Sequence, residues 1–227
     1  MINQPSYLLA IETVGSMCGI ALFDLAQKRT QLEYLIHAPH MHDAMLAELI
    51  RRGMLDLGIT AHDIHAIAVS EGPGSFTGIR IGMSFAKGWC ADGLTHLLSV
   101  PTFQAIAHSA LPTLNETMHN HLCIIMKSHA KKCFVQVFDT KSGAAVSDIQ
   151  CIEESDALQI LTPTMAYISD LDFNHDARRL EHITASHPTF IAELGYEMLL
   201  AGNQHSPLMA DSNYHADFVP IISKHKQ

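Results

Sequence analysis

Three glycines, a proline, a serine and a threonine are packed into Gly72–Gly78 (GPGSFTG), directly ahead of a helix-like pattern. A glycine turn that leads into a helix N-terminus is a natural anion site, because unpaired N–H groups and the helix dipole point outward there. Gly74, Ser75, Thr77 and Gly78 are therefore candidate phosphate-binding residues. No Lys-Ser/Thr pair follows Gly78, so the P-loop pattern fails, and GxGxxxG misses the dinucleotide fingerprint by one residue. The bland alternative is a rigid turn: Gly72 and Gly74 permit unusual backbone angles, Pro73 stiffens the segment, and Ser75 or Thr77 caps the helix.

Glu12 closes the first apolar run and carries a carboxylate to the first hairpin turn. A carboxylate there could hold Mg²⁺ through water, or cap a hairpin. Sixteen histidines are present, but no two stand four residues apart. The pairs His40/His42 and His119/His121 have HxH spacing, while His37/His40 and His62/His65 are three apart. None has a Cys or carboxylate partner at metal-site spacing, so no metal site is expected. HExxH and a nucleophile elbow are also missing, and Ser75 is read as a helix cap in preference to a nucleophile. KSHAKK, Lys127–Lys132, is read as a solvated hairpin tip, the alternative being a basic patch for RNA or an acidic partner.

The elements that must position these residues follow from periodicity. Tyr7–Thr13 and Cys18–Asp24 form a hairpin, and Gln31–His37 a third strand. Residues 41–57 change to helical spacing, with Gly58 as a stop. His65–Ser70 is a buried strand, Ile79–Asp92 a helix, Thr95–Val100 a strand and Thr102–Ala110 a helix. After the turn-rich Leu111–His121 come a hairpin (Leu122–Met126, Cys133–Asp139), a strand over Ala144–Cys151, a helix over Ser155–Leu161, a strand over Met165–Ile168 and a helix over His187–Ala201. The expectation is an α/β chain with mixed sheets. Residues 1–110 form one lobe and 111–227 a smaller imitation of it, whose tail packs back on the first.

With 227 residues, 48% hydrophobic and 16% charged, the chain is long and apolar enough to build real cores. Its net charge of −9 argues against autonomous nucleic-acid binding, which needs clustered cations. Five scattered cysteines without CxxC suggest free thiols. There is no long apolar run, so a cytoplasmic protein without membrane attachment is expected.

LAIETVGSMCGIALFD (Leu9–Asp24), His42 opening a helix, and SEGPGSFTGIRIGMSFAKG (Ser70–Gly88) together resemble the TsaB (YeaZ) family of the tRNA threonylcarbamoyladenosine machinery. The ungapped GPGSFTGIRIG block is the most specific part, and the matching blocks span roughly residues 7–100. The resemblance implies the two-lobed actin/Hsp70/sugar-kinase (ASKHA) fold. It also implies a non-catalytic subunit that supports its paralogue TsaD in threonylcarbamoyl transfer to the adenosine next to the tRNA anticodon.

The expected partners are TsaD in a heterodimer, the ATPase TsaE, and a second copy in a homodimer, with tRNA met indirectly through the complex. No cofactor of its own is expected, and ATP with Mg²⁺ enters only in the complex. The alternatives are an ATP-binding or ATP-hydrolysing enzyme of the same fold, and a peptidase acting on a partner. Against the first, TsaB members more often carry Asp where Glu12 stands. They also usually carry an Asp-x-Arg-x-x-Glu-type pattern where this chain has KSHAKK. Against the second, the His-x-x-x-His pair of TsaD-like proteins is missing. The ending common in the family, Tyr-Leu-Arg, is absent near Asp217, Phe218 and Pro220 as well.

The resemblance also assigns a partner surface to the first two helices, at Met41, Met45, Leu49, Arg80, Met83 and Lys87. Both helices carry more apolar surface than one core contact needs, and methionine-rich faces adapt to partners. An exposed apolar patch is expected there.

Overall fold

The computed structural model describes residues 6–37, 42–114 and 119–206, except the side chain of His42. Strand β1 (Tyr7–Glu12) is buried along its whole length, as its unbroken apolar run requires of a central strand. It pairs antiparallel with β2 (Cys18–Asp24), which pairs antiparallel with β3 (Arg29–Ile36). On its other side β1 runs parallel to β4 (Ile64–Ser70), and β4 to β5 (His96–Val100). The order is β3-β2-β1-β4-β5.

A second sheet repeats this plan. Strands β6 (His121–Lys127), β7 (Lys132–Asp139) and β8 (Gln150–Glu153) form the antiparallel part, and β9 (Met165–Ser169) and β10 (Arg178–Arg179) the parallel part. Its order, β8-β7-β6-β9-β10, is that of the first sheet with five added to each number. Both halves are thus mixed α/β units built on one strand order.

Helices α1 (His42–Leu57) and α2 (Phe76–Trp89) cover one face of the first sheet, where Leu46, Leu49, Ile50, Met83 and Ala86 meet Leu9, Ile11, Ile20 and Ile67. Helix α3 (Thr102–Ala110) serves both sheets. Its Ala105 joins the core beneath the first, while Phe103, Ile106, Ala107 and Ala110 join Leu122, Ile124, Phe134 and Ile168 of the second. Helix α4 (Glu154–Ile160) covers the far face of the second sheet through Ala157. Helix α5 (Pro188–Leu200) crosses back from the second half of the chain, and its Ile191 and Ala192 pack with Leu8, Ala21, Ala68 and Val100. Full burial of side chains of this size contributes about 1.5–3 kcal/mol each.

Two expectations need correcting, and one element was not foreseen. Helix α2 runs Phe76–Trp89 rather than Ile79–Asp92, because the Ser75 hydroxyl accepts from Gly78 N at 3.2 Å and caps it three residues earlier; Cys90–Asp92 form a 3-10 turn. The third strand of the second sheet is Gln150–Glu153, not Ala144–Cys151. Upstream of it, Ser147 uses its hydroxyl, not its backbone, to accept from Val137 N, so regular pairing stops at an isolated Phe138–Ala145 bridge. The two-residue strand β10 carries too short a pattern for periodicity to reveal.

Candidate functional site

The two sheets meet over a cleft. Its walls are the β1–β2 turn (Val14–Met17), the glycine loop (Pro73–Phe76), the tip after β6 (Lys127–His129), Asp170 after β9, and Thr184–Ser186 before α5. Two adjoining cavities of about 330 and 370 Å³ share Val14, Gly15, Ser16, Gly74, Lys127 and Asp170. The inner one is floored by Phe103, Ile106 and Met126, and the outer one opens beside Ser75 and His129.

Glu12 lies beside this cleft but does not face it. Its carboxylate is fully buried, with Oε1 accepting from Val14 N at 2.7 Å and Oε2 from the Ser186 hydroxyl at 2.5 Å. Burial pushes its pKa up, and the hydrogen bonds from Ser186 and Val14 only partly oppose this. Among the described residues no cation is paired with it. Glu12 therefore closes the hairpin turn and ties it to the segment before α5, the geometry of the hairpin cap that the sequence left open beside metal organisation.

The glycines of the loop serve a different contact from an anion. The backbone at Thr13–Val14 lies against the start of α2. Ser75 N donates to Val14 O at 2.8 Å, and the buried Thr13 hydroxyl donates to Gly78 O at 2.8 Å. A Cβ on Gly78 would stand 1.9 Å from Thr13 O, one on Gly82 2.6 Å from Thr13 Oγ1, and one on Gly74 2.5 Å from Val14 O. Gly74, Gly78 and Gly82, spaced by four, thus form one bare edge on which the hairpin rests. Thr77 is exposed in the first turn and caps nothing in the described hydrogen bonds.

Sequence reasoning missed Asp170, Ser186 and Thr102. Asp170 Oδ1 accepts from Lys127 N at 2.8 Å. Although much of its surface is open to the cleft, the surrounding protein desolvates its carboxyl enough to push the pKa up, the bond from Lys127 N opposing. Thr102 accepts from Gly72 N at 3.2 Å and returns its own N–H to Gly72 O at 2.9 Å, which holds the loop to α3. A signal for Asp170 was present. In the repeated strand order β9 corresponds to β4, and each ends in a serine followed by an acid, Ser70–Glu71 and Ser169–Asp170.

The expected partner-facing residues divide. Met41 lies outside the described residues. Met45 and Lys87 are half-buried, and Arg80 is exposed with its guanidinium stacked 3.8 Å over the Phe76 ring. Leu49 and Met83, 7% and 4% exposed, are core residues of the first sheet, so their expected surface role is corrected: they face β1, β2 and β4. The half-buried margin of the two helices is Met45, Met54, Ile81, Phe85 and Trp89, with Leu55 outermost at 60% exposed. Among the described residues no three His, Cys, Asp or Glu side chains converge as metal ligands. No described helix is long and apolar enough to cross a membrane.

The family described as "TsaD: tRNA N6-adenosine threonylcarbamoyltransferase" matches residues 37–173. The "tRNA threonylcarbamoyladenosine biosynthesis protein TsaB" of Escherichia coli K12 is 30% identical over 103 residues, 45% of this chain and 43% of that protein. The protein of the same name from Bacillus subtilis is 33% identical over 87 residues, 37% of each chain. These alignments span less than half the length of the curated relatives. In fold, a Pseudomonas aeruginosa protein described as similar to the peptidase YeaZ superposes with a TM-score of 0.77 at 17% identity, over 93% of this chain and 100% of that one. The chain belongs to the TsaD family and, within it, to the TsaB (YeaZ) branch.

Proposed function

We propose that this chain acts in the cytoplasm as a non-catalytic partner of TsaD, supporting threonylcarbamoyl transfer to the adenosine beside the tRNA anticodon. Its two lobes are built on residues 1–110 and 111–227, with α5 of the second part packing back on the first. The observation that carries this reading is the fate of Glu12. In a metal-dependent nucleotide enzyme this carboxylate would point into the cleft, whereas here both its oxygens are engaged by Val14 and Ser186 and the group is sealed from solvent. The residues at this hairpin do not fit a metal–nucleotide. The half-buried apolar margin of α1 and α2 supports a docking role with TsaD or a second copy of this chain.

Reconstitution tests the proposal directly. TsaD, TsaE, the threonylcarbamoyl-adenylate-forming enzyme, tRNA, threonine, bicarbonate and ATP are combined with and without this chain, and modified adenosine is measured. The expected result is formation that depends on the chain and is retained by Glu12→Gln. Undiminished modification without the chain overturns the proposal, and tight Mg²⁺-dependent ATP hydrolysis by the isolated chain overturns its non-catalytic part.

A further inference from the structure

The cleft holds two charges that the partner-subunit reading leaves unused. Lys127 ends β6, and Asp170 directly follows β9, a neighbouring parallel strand paired with β6 as far as Ile125–Ser169. Ligands of open α/β sheets settle outside the carboxyl ends of parallel strands, which is where both residues stand. Both line the inner and the outer cavity.

The first half of the chain has acids at the corresponding strand ends and turns both away. Glu12 at the end of β1 is sealed by Val14 and Ser186, and Glu71 after β4 accepts from the Ser99 hydroxyl at 2.5 Å. Neither lines the two cavities. In the second half a lysine replaces the first of these acids, and the second, Asp170, keeps much of its surface open to the cleft. The protein around Asp170 desolvates its carboxyl, so an opposite charge seated there is screened less than in water. Below the two charges the inner cavity is apolar, with Phe103, Ile106 and Met126 as its floor. Two of its polar lining groups are already engaged, the Ser186 hydroxyl by Glu12 and Thr102 by Gly72. Its volume of about 330 Å³ lies at the small end of ligand sites, which span about 300–1,000 Å³.

A phosphate or simple carboxylate placed here meets Asp170, and a simple amine meets Lys127. A zwitterion complements both. We propose that the cleft binds a free α-amino acid with an apolar side chain, its ammonium at Asp170, its carboxylate at Lys127 and its side chain over Phe103, Ile106 and Met126. The floor residue Phe103 comes from α3 and the two charges from the second sheet, so the ligand bridges the two halves of the chain. Binding needs no other protein, and this inference is independent of the partner-subunit proposal.

Leucine, methionine and phenylalanine are each titrated into the isolated full-length chain, with binding followed by calorimetry and by NMR. The tightest of the three is then compared with its decarboxylated amine and its deaminated acid. The expected result is saturable binding with a Kd of about 1 mM or tighter, weakened at least about tenfold when either charge of the ligand is removed. Asp170→Asn keeps an oxygen to accept from Lys127 N, and it should lose at least about tenfold in affinity for the amino acid. Saturable binding of none of the three overturns the proposal, as does an amine or acid that binds within about tenfold of its amino acid. A folded Asp170→Asn chain with wild-type affinity overturns it too. Should that variant fail to fold, the comparison of amino acid, amine and acid on the wild-type chain decides alone.

Discussion

Gly78 sits so close to Thr13 that a Cβ on it would stand 1.9 Å from the Thr13 carbonyl oxygen, while the Thr13 hydroxyl donates to Gly78 O. Helix and hairpin touch backbone to backbone at this point. Gly78→Ala cannot be relieved by rotating a side chain, so it should destabilise by at least about 3 kcal/mol, roughly 6–12 °C in Tm for a chain of this size. Gly88, in the same helix, has nothing within 4 Å, and Gly88→Ala should stabilise by about 0.5–1 kcal/mol. Thermal melts of the two variants check this; equal effects would show that helix propensity, not contact, sets the cost.

The buried Glu12 predicts a pH dependence with a definite sign. Burial raises its folded pKa above the unfolded value, so its contribution is fully present below the ordinary carboxylate pKa of about 4 and is lost as pH rises through the folded pKa. Glu12→Gln cannot titrate. The stability of wild type relative to Glu12→Gln should therefore fall as pH rises from about 4 toward neutrality. Denaturant unfolding of both proteins across this range provides the measurement.

Ser186 donates the bond that most directly opposes burial of that carboxylate. Ser186→Ala leaves Glu12 Oε2 without this donor and should cost about 1–3 kcal/mol at neutral pH. The loss should shrink in the Glu12→Gln background, because the orphaned acceptor is then uncharged. A double-mutant cycle reads the difference.

Thiol labelling should single out one cysteine. Burial pushes the thiols of Cys90, Cys123 and Cys133 up to about 12 and that of Cys18 up to about 11, whereas Cys151 is half-buried. Because the thiolate is the reacting species, native protein at neutral pH should label first at Cys151, and all five should label after unfolding. Mass spectrometry of timed samples identifies the site.

On the proposed partner surface, Met45→Glu on the half-buried margin and Lys87→Glu should each weaken association with TsaD at least tenfold, about 1.4 kcal/mol, with unchanged circular dichroism. Lys141→Glu, exposed on the second lobe, should leave association unaltered. Titration calorimetry distinguishes them.

Much of the architecture was legible in the sequence because it is locally encoded. The unbroken run of β1, the three- and four-residue spacing of α1 and the turn residues between strands each specify an element within a short window. The GPGSFTG block announced a tight strand-to-helix passage and carried the family resemblance. Its contact partner was out of sight, because Thr13 lies 65 residues away from Gly78. Glu12 could be read as a metal-organising acid or a hairpin cap, and only its bond to Ser186, 174 residues later, decided for the cap. Leu49 and Met83 looked like surplus apolar surface, and only the packing of α1 and α2 on the sheet made them core. Local propensity and periodicity act over a few residues and so determine the elements. Burial, close backbone approach and the desolvation of a carboxylate depend on which distant segments fold against one another, so only the tertiary structure could decide them.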